Sequence, residues 1–353
     1  MDFSFIRNHR LKNQQLTETK FSEPEKLVSH FGAMQAQDYA MAKWAIGLRT
    51  EKTEKEIEEA INQGKIIRTH ILRPTWHFVA AEDIHWMLEL TAPSLKKLIT
   101  SAAVKMGLED SLNVYNKKLQ KLLSSNNHLT REEIMLELDI KTGINNISPV
   151  IIMMNAELEG IVCNGIMRGK KFTYALLEER VKTDSKISKE EALAKLAGKY
   201  FKSHGPATIQ DFSWWSGLSL TNSRLALESI KSELSSFQIE NNTYWFYEVS
   251  ISNKNESLVH LLPAFDEFLI SYKDRTASIA LEHQPLAFTK NGIFNPVIVI
   301  NGKVEGTWKR SIKKETVKIE LKPINSFDKK TTELIMNKAK MYGDFLGLKI
   351  EIA

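Results

Sequence analysis

Apolar residues along the chain fall at helical spacing in three stretches, and each stretch closes on a segment rich in β-branched and aromatic residues. In the first, Leu27, Val28 and Phe31 follow the start signal Ser22-Glu23-Pro24 and share one helical face. Asp38 reads as the cap of a second helix through Trp44 and Leu48, and Thr53 caps a third that Gly64 ends. Residues 66–80, interrupted by Arg73-Pro74, then carry the signature of a hairpin. Three helices followed by a hairpin is the order of a winged helix.

The order recurs twice. A helix over 111–123 precedes Thr130 and Glu133, a capping box in which the carboxylate reaches back to the threonine N–H. A further helix over 148–160 ends at Gly160, and 161–177 predicts a hairpin with Arg168, Gly169, Lys170 and Lys171 at its tip. The third copy opens on a capping box of Ser188 and Glu191. It adds a short helix capped by Thr208 and another over 222–230, and finishes in a small wing over 237–249 turning at Asn241-Asn242. Three periods of one order predict tandem modules. Past about residue 255 the pattern changes to strands, with a type I′ turn signal at Asn301-Gly302, a strand over 317–321 and a closing helix over 331–346. The expected fold class is α+β: three tandem winged-helix (helix-turn-helix) modules at 1–90, 91–184 and 185–252, then a β-rich C-terminal region at 253–353.

Composition narrows what such a chain can be. At 353 residues it has room for several domains, and 42% hydrophobic with 26% charged residues excludes a disordered or coiled-coil chain. The formal charge of +5 is too small an excess to coat nucleic acid, so a nucleic-acid role must rest on locally clustered charge. Arg168, Lys170 and Lys171 stand where a wing reaches along a duplex. Lys309 and Arg310, with Lys313 and Lys314, form a second basic run; a solvated basic surface explains either cluster equally well. No apolar run approaches the ~18 residues of a membrane span, and the N-terminal residues lack the apolar region of a signal peptide. The single cysteine, Cys163, excludes an internal disulfide framework and a multi-cysteine metal site. A cytoplasmic protein is expected.

Familiar catalytic constellations are absent. There is no glycine-rich phosphate loop, no HExxH and no Cys/His pair at ligand spacing. His70 and His77 fall on hairpin strands and His85 on a helix, which does not suit a shared metal, so neither a metal nor an organic cofactor is expected. Cys163 reads as a small packed residue. The unusual feature is Gln35-Ala36-Gln37-Asp38, two amides one residue apart at the junction of the first two helices. Buried amides need several partners, and the plainer reading is that they cap or bridge that junction.

Taken together, several landmarks carry a resemblance. They are Met34-Gln35-Ala36-Gln37-Asp38 and the string Arg68-Thr69-His70 through Leu72-Arg73-Pro74-Thr75-Trp76-His77. His204-Gly205-Pro206-Ala207-Thr208, Asp211-Phe212 and Trp214-Trp215-Ser216-Gly217 follow. Leu262-Pro263-Ala264-Phe265-Asp266, Tyr272-Lys273-Asp274-Arg275 and Gly306-Thr307-Trp308-Lys309-Arg310 complete them. In this order the chain resembles, over nearly its whole length, the winged-helix DNA glycosylases of the AlkZ-like family. That resemblance implies excision of alkylated bases and, in some members, unhooking of interstrand crosslinks. It maps the family's Gln-x-Gln or Gln-x-Asp catalytic motif onto Gln35 and Gln37. On the first wing, Arg68, His70 and Arg73 are expected at phosphates beside the lesion, whereas Trp76 and His77 read as wing packing. Of Trp214 and Trp215, at least one is expected in the core, with a wedge between bases the alternative.

A glutamine pair suits only an easy leaving group. Alkylation at guanine N7 makes the base cationic and weakens its N-glycosidic bond, so what remains is to place a water and favour an oxocarbenium ion, which two amide carbonyls can do. The expected protein is a monofunctional, monomeric DNA glycosylase acting on duplex DNA with alkylated bases, and associated with the nucleoid. The rivals are a non-catalytic transcription regulator, which would prefer one sequence by ~4–10 kcal/mol, and a protein-interaction scaffold without salt-dependent DNA affinity.

Overall fold

The computed structural model describes residues 1–140, 148–182, 186–250 and 257–352. The expected module boundaries at 184/185 and 252/253 lie outside the described residues. Helix α1 (Phe3–Asn13) leads into a run of α2 (Pro24–Phe31), β1 (Ala33–Gln35), α3 (Tyr39–Thr50), α4 (Glu54–Asn62), β2 (Ile66–His70) and β3 (Trp76–Ala80). After the 22-residue α5 (Ile84–Lys105), which runs unbroken through residue 90, the order repeats. It continues as α6 (Leu112–Leu123), β4 (Leu129–Thr130), α7 (Arg131–Glu137), α8 (Ser148–Leu158), β5 (Val162–Asn164) and β6 (Thr173–Leu176). The short α9 (Leu177–Arg180) precedes α10 (Lys189–His204), α11 (Ile209–Ser216), α12 (Leu220–Ile230), β7 (Ser235–Ile239) and β8 (Asn242–Phe246).

The repeat extends to sheet topology. The first two sheets have the orders β1-β3-β2 and β4-β6-β5, so in each the strand that follows the first helix pairs with the last strand of the hairpin. In the third unit that strand is reduced to a single bridge between Ala207 and Trp245, beside the hairpin β7-β8. Side chains at the helix starts explain the phasing: Thr53 with Glu56, Thr130 with Glu133, Ser188 with Glu191 and Thr208 with Asp211 all form reciprocal capping boxes.

The C-terminal part consists of β9 (Val259–Leu262), α13 (Glu267–Ile270), α14 (Gln284–Ala287), β10 (Val297–Ile300), β11 (Lys303–Lys313), β12 (Thr316–Pro323), α15 (Lys329–Leu346) and β13 (Lys349–Ile352). Its five strands order as β13-β12-β11-β10-β9, with only β12 and β13 parallel. The turn between β10 and β11 places Asn301 and Gly302 both at positive φ, as a type I′ turn demands.

This sheet is not an appendage. Leu27, Phe31, Trp44 and Phe78 of the first unit share one core with Val259, Leu261, Trp308, Tyr342 and Phe345. Trp44 and Trp308 donate their indole N–H groups to the carbonyls of Leu261 and Leu262, so both large rings are buried with their polar atom satisfied. Arg49 and Asp266 seal the joint with two 2.8 Å hydrogen bonds and are essentially inaccessible to solvent. A second core joins the first hairpin to α10, α11 and α12, and a third fills the second unit against α5. Among the described residues no helix is long and apolar enough to cross a membrane.

Candidate active site

The Gln-Ala-Gln segment is not a helix junction. Ala33–Gln35 forms the edge strand β1, paired antiparallel with β3 so that Gln35 faces His77, and Ala36 continues the pairing by donating to the Trp76 carbonyl at 2.7 Å. Extended backbone puts Gln35 and Gln37 on the same side and Ala36 on the other. Gln35 is buried and its Oε1 accepts the Gln37 N–H at 2.5 Å, which folds its amide onto the motif's own backbone. Gln37 is exposed, and its Oε1 lies 3.5 Å from the Trp76 nitrogen, a long and weak contact. Asp38, next in sequence, caps α3 by accepting from Met41 N at 3.1 Å.

Gln37 opens onto a cavity of about 1210 Å³ between α3, α4, the second hairpin's tip and the end of α15. Arg68 forms part of its wall. The Arg68 guanidinium donates twice to the Ala36 carbonyl, at 3.2 and 3.1 Å, and lies 4.3 Å from the Trp76 ring centre, 4.8 Å from Phe172 and 5.5 Å from Tyr39. An aromatic box thus holds the cation that pins the residue between the two glutamines.

Behind the motif lies a buried carboxylate. Glu267 Oε1 accepts the Gln35 N–H at 2.6 Å, and Oε2 accepts from the Ser271 hydroxyl and stands 3.5 Å from His204 Nε2. Burial opposes ionisation of Glu267, but the neighbouring His204 ring, the Ser271 hydroxyl and the Gln35 N–H outweigh it and hold the carboxyl below its usual range. Burial pushes His77, the cross-strand partner of Gln35, down to about 3, so its ring is neutral. Arg73, at the loop between β2 and β3, has a buried Nε without a partner, and the Glu267 charge is the main anion acting on it.

A family model described as "DNA glycosylase AlkZ-like" matches residues 28–345. The chain belongs to the AlkZ-like DNA glycosylase family. It is 23% identical over 322 residues to the interstrand DNA cross-link repair glycosylase of Streptomyces sahachiroi, an alignment spanning 85% of each chain. The solved structure of DNA glycosylase AlkZ from the same organism superposes with a TM-score of 0.81 at 20% identity, covering all of both chains. The fold is therefore the mixed α and β fold of AlkZ, and this AlkZ-like protein is a DNA glycosylase, a DNA-repair hydrolase of N-glycosyl bonds.

The residues expected at DNA in this AlkZ-like chain separate into interior and surface sets. Arg68 and His70 are corrected to the interior. Arg68 is 7% exposed and committed to Ala36 and its aromatic box. His70 is 8% exposed, hydrogen-bonded through Nδ1 to the buried Glu157 and packed on Trp76 with ring centres 4.1 Å apart. Arg73 remains half-exposed beside Trp214, a residue 44% exposed whose ring lies 5.8 Å from both the Arg73 and the Arg275 guanidinium. Trp215, its neighbour in sequence, is core. Arg168 is exposed and paired with Glu133, while Lys170 and Lys171 line a second cavity beside the first, with Arg68 and Trp76. Lys309 is exposed on β11, and Arg310 donates to the Tyr342 hydroxyl on α15. Cys163 is buried, its thiol pushed up to about 12, as burial disfavours a thiolate.

Glu267 and Arg275 were not assigned any role from sequence. Arg275 closes a landmark string and Glu267 directly follows one, but the contact that matters joins positions 232 residues apart, Gln35 and Glu267, and no periodicity reports that. Among the described residues no group of three or more His, Cys, Asp or Glu is arranged to hold a metal ion.

Proposed function

We propose that this glycosylase hydrolyses the N-glycosidic bond of cationic purines, of the N7-alkylguanine or N3-alkyladenine kind, with Gln35 and Gln37 as its catalytic residues. The observation that carries the reading is the pairing of a fixed amide with a free one. Gln35 is locked by its own motif, and Gln37 presents its amide to a cavity large enough for a nucleoside and an attached group. A cationic base leaves as a neutral molecule when the C1′–N bond breaks and its electron pair moves to the base, so no general acid is required. The amide carbonyls orient the attacking water and stabilise the oxocarbenium ion by their dipoles. The water oxygen bonds C1′ and its proton passes to solvent, leaving an abasic site. No lysine lies on the motif strand, and the nearby Lys43 is held by Glu54 and Glu58 at 2.8 Å each, so a Schiff-base step is not part of the reading.

The same cavity is spacious enough to take a bulky adduct, which supports crosslinks among the substrates. The three repeating units, read as winged helices at 1–90, 91–184 and 185–252 with the C-terminal region at 253–353, would present the basic contacts to one duplex in a monomer. Arg73, Arg168, Lys170, Lys171, Lys309 and Arg310 are assigned to phosphates. The test is release of N7-methylguanine from duplex DNA by the wild type and by the Gln35→Ala, Gln37→Ala double variant. The reading predicts release by the wild type and at least a ~100-fold loss in the variant, the scale of removing oriented catalytic dipoles. Undiminished release by the double variant would reassign the motif.

A further inference from the structure

Glutamine amides are weak partners for a developing cation, and the chain holds a formal negative charge directly behind them. We infer that Glu267 is an electrostatic positioning residue of the active site, a fixed buried anion that acts on the cationic transition state through Gln35. This rests on the catalytic reading of Gln35 and Gln37 above.

The edge strand explains why something must accept there, though not why it should be charged. β1 is the outer strand of its sheet, and its Gln35 N–H points away from β3 to Glu267 Oε1 at 2.6 Å. A carbonyl or hydroxyl would satisfy that donor equally well, whereas a fully buried carboxylate carries a desolvation penalty that a neutral acceptor avoids. The adjacent Asp266 shows how the fold normally settles such a charge, by two hydrogen bonds from Arg49. Glu267 has no bidentate arginine of that kind and spends one oxygen on the Gln35 N–H instead. Its hydrogen-bonding neighbours are the Ser271 hydroxyl and the Gln35 N–H, with the His204 Nε2 farther off at 3.5 Å. The carboxylate therefore bears directly on the main chain of the motif, through the 2.6 Å bond to the Gln35 N–H. With Glu267 2% and Gln35 5% exposed, water does not screen the space between them. Glu267 does not itself reach the substrate. Its bond to the Gln35 N–H polarises the peptide and fixes the strand that carries both amides.

The test compares Glu267→Gln and Ser271→Ala with the wild type on N7-methylguanine DNA. Glu267→Gln keeps the size and the acceptor but removes the charge, so kcat should fall by roughly 10- to 100-fold with KM and affinity for undamaged DNA within about two-fold. Ser271→Ala keeps the charge and loses one tether, and kcat should stay within about three-fold. Full activity in Glu267→Gln, or an equal loss in Ser271→Ala, would overturn the charge and leave a structural tie. Should Glu267→Gln not fold, a loss beyond about ten-fold in Ser271→Ala still overturns the charge. The amide proton of Gln35 gives a readout independent of turnover. A carboxylate acceptor holds it downfield by NMR, and it should move upfield in Glu267→Gln; an unmoved resonance contradicts the inference. A wild type that releases no base overturns the functional reading instead, while the Gln35 resonance still reports on Glu267.

Discussion

At the residue scale the site is organised by groups that do not touch solvent. Arg68 carries a formal charge, yet it works as a brace, with its planar guanidinium sandwiched among Trp76, Phe172 and Tyr39 and its N–H groups on the Ala36 carbonyl. Lysine cannot match that planar stacking or donate twice from one face. Arg68→Lys should therefore reduce kcat while leaving the salt dependence of DNA affinity unchanged, since no phosphate contact is removed. A reduced salt slope would restore Arg68 to the DNA surface. Arg49 and Asp266 make a second residue-scale case. Removing one member of a buried ion pair leaves the other unpaired, so Asp266→Ala should lower unfolding stability by about 3–5 kcal/mol in denaturant titration. A loss below 1 kcal/mol would mean the pair is not buried in solution as it is in the structure.

At the scale of elements, much was legible and the reasons are local. Capping residues, helix-ending glycines and the Asn301-Gly302 turn act over three or four positions, so Thr53, Thr130, Ser188 and Thr208 mark their helices correctly in the sequence. β1 escaped because three residues are too few to show alternation, and its pairing with β3 lies more than forty positions away. A far larger separation, 232 positions, hid the relation of Gln35 to Glu267. Arg68 and His70 are expected at phosphates from their place on the first wing, close in sequence to the motif; aromatic neighbours, and Glu157 distant in sequence, draw them inward instead. The loop after β2 is another tertiary product. Leu72 takes a left-handed conformation there, and a Cβ on Gly217, itself at positive φ, would lie 2.1 Å from the Leu72 carbonyl oxygen. Gly217→Ala should destabilise the protein by more than about 1 kcal/mol and weaken DNA affinity by displacing Arg73. Unchanged stability and affinity would show that α11 does not hold that loop.

At the scale of the whole molecule, three helix–hairpin units and a five-stranded sheet share cores, and buried histidines set the acid limit of their stability. Burial is the leading cause that pushes His77 and His260 down to about 3 and His30 to about 4. Each binds a proton more readily unfolded than folded, so stability falls as pH drops below the unfolded value near 6.5, by up to about 1.4 kcal/mol per pH unit for each. The melting temperature should decline between pH 6.5 and 5, and His260→Gln, away from the motif, should flatten that slope. The proposed catalysis rests on a narrower point, that two amides on one sheet edge serve only where the leaving base is already cationic. The most direct measurement is single-turnover base release from matched duplexes carrying N7-methylguanine or a neutral lesion such as uracil, with wild type and the Gln35→Ala, Gln37→Ala variant. Release of N7-methylguanine by the wild type alone, and of uracil by neither, is the predicted result; release of the neutral base, or equal rates from the two proteins, would contradict it.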